Sequence, residues 1–229
     1  MTELAALYPF LEPTSGPDPA AVLADVTRST VDKVEEIGRL RTTVAEAEAE
    51  RLAACATAMG ERFFAGGRLY TFGNGGSSTD ATALATLFVA PGPGRRRLPA
   101  VSLTDDVATL TALANDVGFE VVFSRPLAAV GRPGDIALGL STSGGSMNVL
   151  RGFAAARKRG LLTVGLAGYA GGAMAEAAER GEIDHLLVMS SASVHRIQEA
   201  QTTTYHVLWE LVQRALGPTV PAPTGSEQP

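Results

Sequence analysis

Two short stretches carry the residue types that could grip a ligand. Ser141-Thr142-Ser143-Gly144-Gly145-Ser146 follows an apolar, β-prone run and precedes a helical stretch, so four hydroxyls converge where a helix begins. Hydroxyl donors and the unpaired N–H groups of a helix's first turn together suit a phosphate monoester, which needs several donors and brings its own charge. Serine and threonine also cap helices with no ligand present, which accounts for any one of these residues but less well for four of six. Gly73-Asn74-Gly75-Gly76-Ser77-Ser78 lies between a strand and a helix expected to begin near Thr79, and its glycines permit close backbone approach. Its spacing is neither G-x-G-x-x-G nor G-x-x-x-x-G-K-[ST], so neither the dinucleotide nor the Walker reading applies. Standing alone it would be a tight strand-to-helix connection.

The elements that must position these loops follow from periodicity. Short β-prone runs at 68–72, 99–103, 135–140, 162–166 and 185–189 alternate with glycine-rich turns and helical stretches, which predicts an α/β fold with a doubly wound five-stranded parallel sheet. Ligand sites in such sheets lie at the C-terminal ends of the strands, where both loops fall. A helix is expected over 147–159, and a long last helix from near Ser193 to Leu216. Ahead of the sheet, Asp18 and Pro19 read as an N-cap and first helical residue. Two amphipathic stretches follow, one through Val22, Val26, Val34, Ile37 and Leu40, the other through Leu52, Cys55, Met59 and Phe63, with Gly66-Gly67 as the stop. They read equally as helices packed on the domain or as a subunit interface. The chain divides into an irregular segment over 1–17, a single domain over 18–216 and a disordered Pro-rich tail over 217–229.

Composition bounds the partners. The 229 residues are 45% hydrophobic and 19% charged, as in globular proteins. A net charge of −5 argues against direct nucleic-acid binding through bulk electrostatics, and one cysteine excludes a disulfide framework. The opening residues lack the basic segment and apolar core of a secretory signal, and no apolar run is long enough to span a membrane. A cytoplasmic protein without a membrane partner is expected.

At this point the chain resembles a family, the SIS (sugar isomerase) domains, in the branch of phosphoheptose isomerase (GmhA) and DiaA. The resemblance covers roughly 64–216 and rests on FGNGGSSTDA at 72–81, ALANDVGFEVVFSRPLAAVGRPGDIALGLSTSGGSMNVL at 112–150, GYAGGAMAE at 168–176 and RIQEAQTTTYH at 196–206. It implies that Ser141, Thr142, Ser143 and Ser146 grip a sugar phosphate. It implies that Asn74, Gly75, Gly76, Ser77, Asn115, Asp116 and Gln198 contact the sugar, and that the chain assembles as a homotetramer through its N-terminal helices and last helix.

The resembling enzymes isomerise sedoheptulose 7-phosphate with a Glu base on the helix after GNGGS and a His acid on the last helix. Their zinc is held by a His and that Glu, four residues apart, with a Gln and the His of the last helix. Here Gln198 and His206 persist, on one face of the last helix. The His and Glu positions are Ala83 and Leu87, which neither ligate metal nor accept a proton. Zinc normally takes at least three protein ligands, so none is expected to be retained and no cofactor is expected. His195 stands where the isomerases carry an acidic residue. It reads as a relocated base paired with His206, or as a solvated residue near the helix start. His185 reads as structural. Asp80 reads as a carboxylate of the site or as a first-turn acid favoured by the helix dipole. The sequence thus describes a phosphosugar-binding protein of the phosphoheptose isomerase type without its zinc and base half. The alternatives are a zinc-independent ketose/aldose isomerase and a DiaA-like scaffold for a protein partner, the replication initiator.

Overall fold

The computed structural model describes residues 18–217. The expectations for 1–17 and for the tail after Gly217 concern residues outside that range. Contacts divide the chain into two units after Arg39. One helix, α1 (Pro19–Phe64), supplies the described part of the first unit and continues into the second. It replaces the two stretches read from the sequence. The connecting residues Arg41–Arg51 (RTTVAEAEAER) contain no proline or glycine and are rich in Ala and Glu, strong helix formers that sustain the helix through the junction. Asp18 Oδ1 accepts from the Ala20 N–H (3.1 Å), in keeping with its reading as the cap. At the other end Gly66, at φ 87°, closes the helix while the Gly67 N–H returns to the Arg62 carbonyl.

The second unit holds five parallel strands, β1 (Leu69–Gly73), β2 (Ala100–Ser102), β3 (Ile136–Ser141), β4 (Leu162–Gly168) and β5 (His185–Met189), in the order β2-β1-β3-β4-β5. Every residue of β1, β3 and β4 is buried, as expected where helices cover both faces of a parallel sheet. The crossovers are α2 (Gly76–Val89) after β1; α3 (Val107–Asp116), a 3-10 turn (Phe119–Val121) and α4 (Ser124–Val130) after β2; α5 (Met147–Lys158) after β3; and α6 (Gly172–Glu179) after β4. The last helix, α7 (Val194–Ala215), follows β5, with the Ser193 hydroxyl capping it from the Arg196 N–H.

Beneath the site the core centres on Phe72, with Phe123 and Phe153 each 5.3 Å from it, centroid to centroid. Gly139 makes this cluster possible, because a Cβ there would sit 2.6 Å from the Phe153 ring and 2.8 Å from the Phe72 ring. β1 and β3 are neighbours whose chains leave in opposite directions across the sheet, which opens a crevice at their C-terminal ends. The register Gly73 to Leu140 sets the GNGGSS and STSGGS loops side by side there.

Candidate functional site: paired loops at the sheet switch point

The hydroxyl loop is preassembled. Ser141, buried at the end of β3, has its Oγ 3.0 Å from Ser146 Oγ and 3.4 Å from Ser143 Oγ. Ser143 Oγ also accepts from the Gly145 N–H (3.2 Å). Ser146 holds the cap position of α5, yet its side chain makes no capping bond. Its hydroxyl belongs to the serine cluster, and the N–H groups of Met147 and Asn148 have no acceptor among the described residues. Capping therefore does not explain this serine. Thr142 is half-buried beside the cluster. The loop is braced by the GYAGG turn after β4. Gly144, at φ 64°, accepts from the Met174 N–H at its carbonyl (2.9 Å) and lies so close to Gly171 that a Cβ would fall 1.9 Å from the Gly171 carbonyl oxygen.

The second loop is bolted to the first. Asn74 and Asn148 exchange a reciprocal pair of amide hydrogen bonds, 2.9 and 2.8 Å long. Asn148 carries no hydroxyl or charge to mark it in the sequence; only its placement one residue into α5, facing β1, gives it this role. Helix α2 begins at Gly76, three residues before the expected start near Thr79, because Gly75 at φ 55° turns the chain without a capping side chain. Ser77 is buried against Gly73, and Gly75 and Gly76 are exposed. Gln198 lies directly over Gly76: a Cβ on that glycine would come 2.0 Å from its amide nitrogen. Asn74, Gly76, the serine cluster and Gln198 are thus brought into linked contacts. Asn115 and Asp116 are not. Both are exposed at the end of α3, and the Asn115 amide donates to Asp116 (2.7 Å).

Along the seam of α2 and α7, one turn from Gly76 and Gln198, Asp80 Oδ1 accepts from Thr202 Oγ1 (3.2 Å) and Tyr205 Oη (3.3 Å). Burial pushes the Asp80 carboxyl above the ordinary aspartate range, against the pull of these two hydroxyls, and burial likewise raises the Tyr205 phenol. Tyr205 stacks on His206 at 4.9 Å. His206 Nδ1 donates to the Thr202 carbonyl (2.8 Å), and the residue is exposed. His195 is exposed in the first turn of α7 and is eleven residues from His206, about 16 Å along the axis. The two histidines of one chain cannot exchange a proton between adjacent carbons, so the pairing of His195 with His206 as base and acid within one protomer fails on distance. His185 sits half-buried at the start of β5, far in sequence and sheet position from these loops, with burial lowering its pKa.

The donor set does not fit zinc. Ala83 is exposed and Leu87 half-buried on α2. Gln198 and His206 alone are two of the four ligand positions, short of the three protein ligands that zinc normally takes. Among the described residues no group of three His, Cys, Asp or Glu could hold a metal.

Comparison with known proteins agrees with this architecture. The SIS domain family matches residues 34–168. The chain is 40% identical over 191 residues to the phosphoheptose isomerase of Roseiflexus sp. strain RS-1, covering 83% of this chain and 94% of that one. It is 44% identical over 182 residues to that of Chlorobaculum parvum, covering 78% and 85%. The fold superposes on the structure of phosphoheptose isomerase GmhA from Neisseria gonorrhoeae with a TM-score of 0.76 and 31% identity, over 82% of this chain and 99% of that one. A phosphoheptose isomerase from Francisella tularensis gives a TM-score of 0.77 at 29% identity, over 82% and 98%. The chain belongs to the SIS-domain family, in the phosphoheptose isomerase branch.

Proposed function

We propose that this protein binds a phosphorylated ketose of the sedoheptulose 7-phosphate class at the paired loops and lacks the metal-assisted isomerisation of its relatives. The observation that carries the reading is the serine cluster. Ser141, Ser143 and Ser146 present hydroxyls to one another, Thr142 adds a fourth beside them, and the N–H groups of Met147 and Asn148 have no acceptor among the described residues. Such a ring of neutral donors at a helix start fits a phosphate dianion. Support for the sugar comes from relatives named phosphoheptose isomerase at about 40% identity. The missing chemistry rests on Ala83 and Leu87. Asn115, Asp116 and Gln198 complete the proposed sugar contacts, with Asn115 and Asp116 drawn in from their exposed position or supplied across a subunit contact.

The test is phosphorus NMR of sedoheptulose 7-phosphate with metal-free and zinc-supplemented protein, alongside calorimetry. Line broadening and heat of binding without conversion are expected. Conversion in either sample would overturn the loss of isomerisation, and no binding at millimolar sugar would overturn the ligand.

One observation favours a second reading, a zinc-independent isomerase. Asp80 is a half-buried carboxylate with a raised pKa, on the helix where the family carries its base, and it is the property expected of a general base. In that reading His206 supplies the acid, and Asp80→Asn abolishes turnover while leaving sugar binding intact.

Assembly as a homotetramer in the cytoplasm completes the proposal. Val22, Leu23, Val26 and Val34 are exposed apolar residues on α1, a row that favours burial against other copies. No helix among the described residues is long and apolar enough to cross a membrane.

A further inference from the structure

The pole of the sheet opposite the sugar-phosphate loops holds a second, basic site. At the N-terminal ends of β1 and β3 the segments 65–68 and 129–135, with Arg159, enclose a cavity of about 530 Å³. That lies within the range of small-ligand sites. Three arginines line it, Arg68, Arg132 and Arg159, all with exposed side chains, in a chain whose net charge is −5. None forms an ion pair with a carboxylate among the described residues, although Arg159 Nε donates to the Gly131 carbonyl (3.0 Å). The one carboxylate of the lining, Asp135, is buried, and its two oxygens accept the backbone N–H groups of Arg68 and Arg132 (both 2.9 Å). Asp135 therefore fixes the backbones of two of the arginines while leaving their guanidinium forks to solvent.

A smaller cavity of about 240 Å³ shares the walls Arg68, Tyr70 and Val130 with the first. The rest of its lining is mainly apolar, with Leu103, Leu110, Val122 and Pro126, while its polar side chains bond within the protein, Asp106 to Thr109 and Ser102 to Thr82 and Thr104. The arginine cavity suits phosphates, which guanidinium groups bind bidentately. The adjoining slot, walled by Tyr70 and apolar side chains, suits the faces of a flat ring. We propose that the two adjacent cavities bind a nucleotide across their shared wall, with its heterocycle in the slot and its phosphates on Arg68, Arg132 and Arg159. This site is independent of the sugar-phosphate reading, since it shares no residue with the serine cluster, Asn74 or Gln198.

The experiment is calorimetric titration of the full chain with ATP, adenosine and inorganic tripolyphosphate. ATP is expected to bind at least about tenfold more tightly than either fragment, because each fragment fills one cavity only. The double variant Arg68→Glu and Arg132→Glu should weaken ATP binding at least about tenfold and leave sedoheptulose 7-phosphate binding and Tm unchanged. Both side chains are exposed, and the bonds to Asp135 come from their backbones. If that variant is unstable, Arg132→Ala alone should show a smaller loss in the same direction. The proposal is overturned if ATP does not bind at millimolar concentration, if tripolyphosphate binds as tightly as ATP, or if ATP binding survives the arginine changes and is displaced by the sugar phosphate.

Discussion

At the scale of single residues, the serine cluster and Asp80 make the sharpest tests. Ser143 is exposed and bonds only within its loop, so Ser143→Ala removes a donor without opening the core. Loss of one charge-assisted hydrogen bond is worth about 1.5–3 kcal/mol. Calorimetry should accordingly show sugar-phosphate affinity falling by roughly 10- to 100-fold at constant Tm. Asp80 titrates above the ordinary aspartate value, so in the pH window directly above that value the folded chain keeps a proton that the unfolded chain has released. Stability contributed by Asp80 is thus present at low pH and lost as pH rises through its folded pKa. In Asp80→Asn, where the amide oxygen still accepts from Thr202 and Tyr205, denaturant titrations should show this decline removed and the neutral-pH midpoint raised. The proposed loss of the zinc half is equally testable: Ala83→His with Leu87→Glu should raise bound zinc by elemental analysis over the parent chain. An unchanged metal content would mean that more than these two positions separates the chain from its relatives.

Secondary-structure elements hold the loops in place by contacts that leave no room for substitution. Gly144 combines a positive φ with a Cβ position 1.9 Å from the Gly171 carbonyl oxygen. Gly144→Ala must displace the turn after β4. A backbone strain of about 1–3 kcal/mol adds to the clash, so Tm should drop and sugar-phosphate binding disappear together. A variant that kept both would show the two turns to be uncoupled. The same logic explains why β3 carries Gly139 at its centre, where the sheet admits the Phe72 and Phe153 rings only because no Cβ stands between them. On α1, Cys55 is fully buried, and burial pushes its thiol up to about 12. The thiolate is the reactive form, so Cys55 should resist disulfide reagents in the folded protein and react only after denaturation.

For the whole molecule, the exposed valines of α1 bear on assembly. Val26→Glu with Val34→Glu places charge in that row, and light scattering should report a fall from four times the 23.7 kDa chain mass to a smaller species. An unchanged mass would move the interface elsewhere. The distance between His195 and His206 also belongs to this scale. Groups about 16 Å apart on one helix can act in one reaction only if they come from different protomers, so any catalysis requiring both depends on the assembly.

What the sequence determined by itself was the set of elements and the two loops. The five β-prone runs lie within a residue or two of the observed strands, because a parallel sheet covered on both faces demands continuous apolar runs, and the hydroxyl and glycine types at 141–146 and 73–78 announce their chemistry locally. Periodicity did not reveal that α1 is one helix, since between Leu40 and Leu52 the buried row passes through Val44 and a glutamate, Glu48, and so its apolar pattern breaks although helix propensity sustains the turn. The Asn74–Asn148 exchange, the seat of Asp80 between Thr202 and Tyr205, and the bracing of Gly144 by Gly171 join residues distant along the chain. Pairings of that kind have no local signature. They exist only because the order β2-β1-β3-β4-β5 sets two loops beside each other and lays α2 against α7, which tertiary packing alone decides.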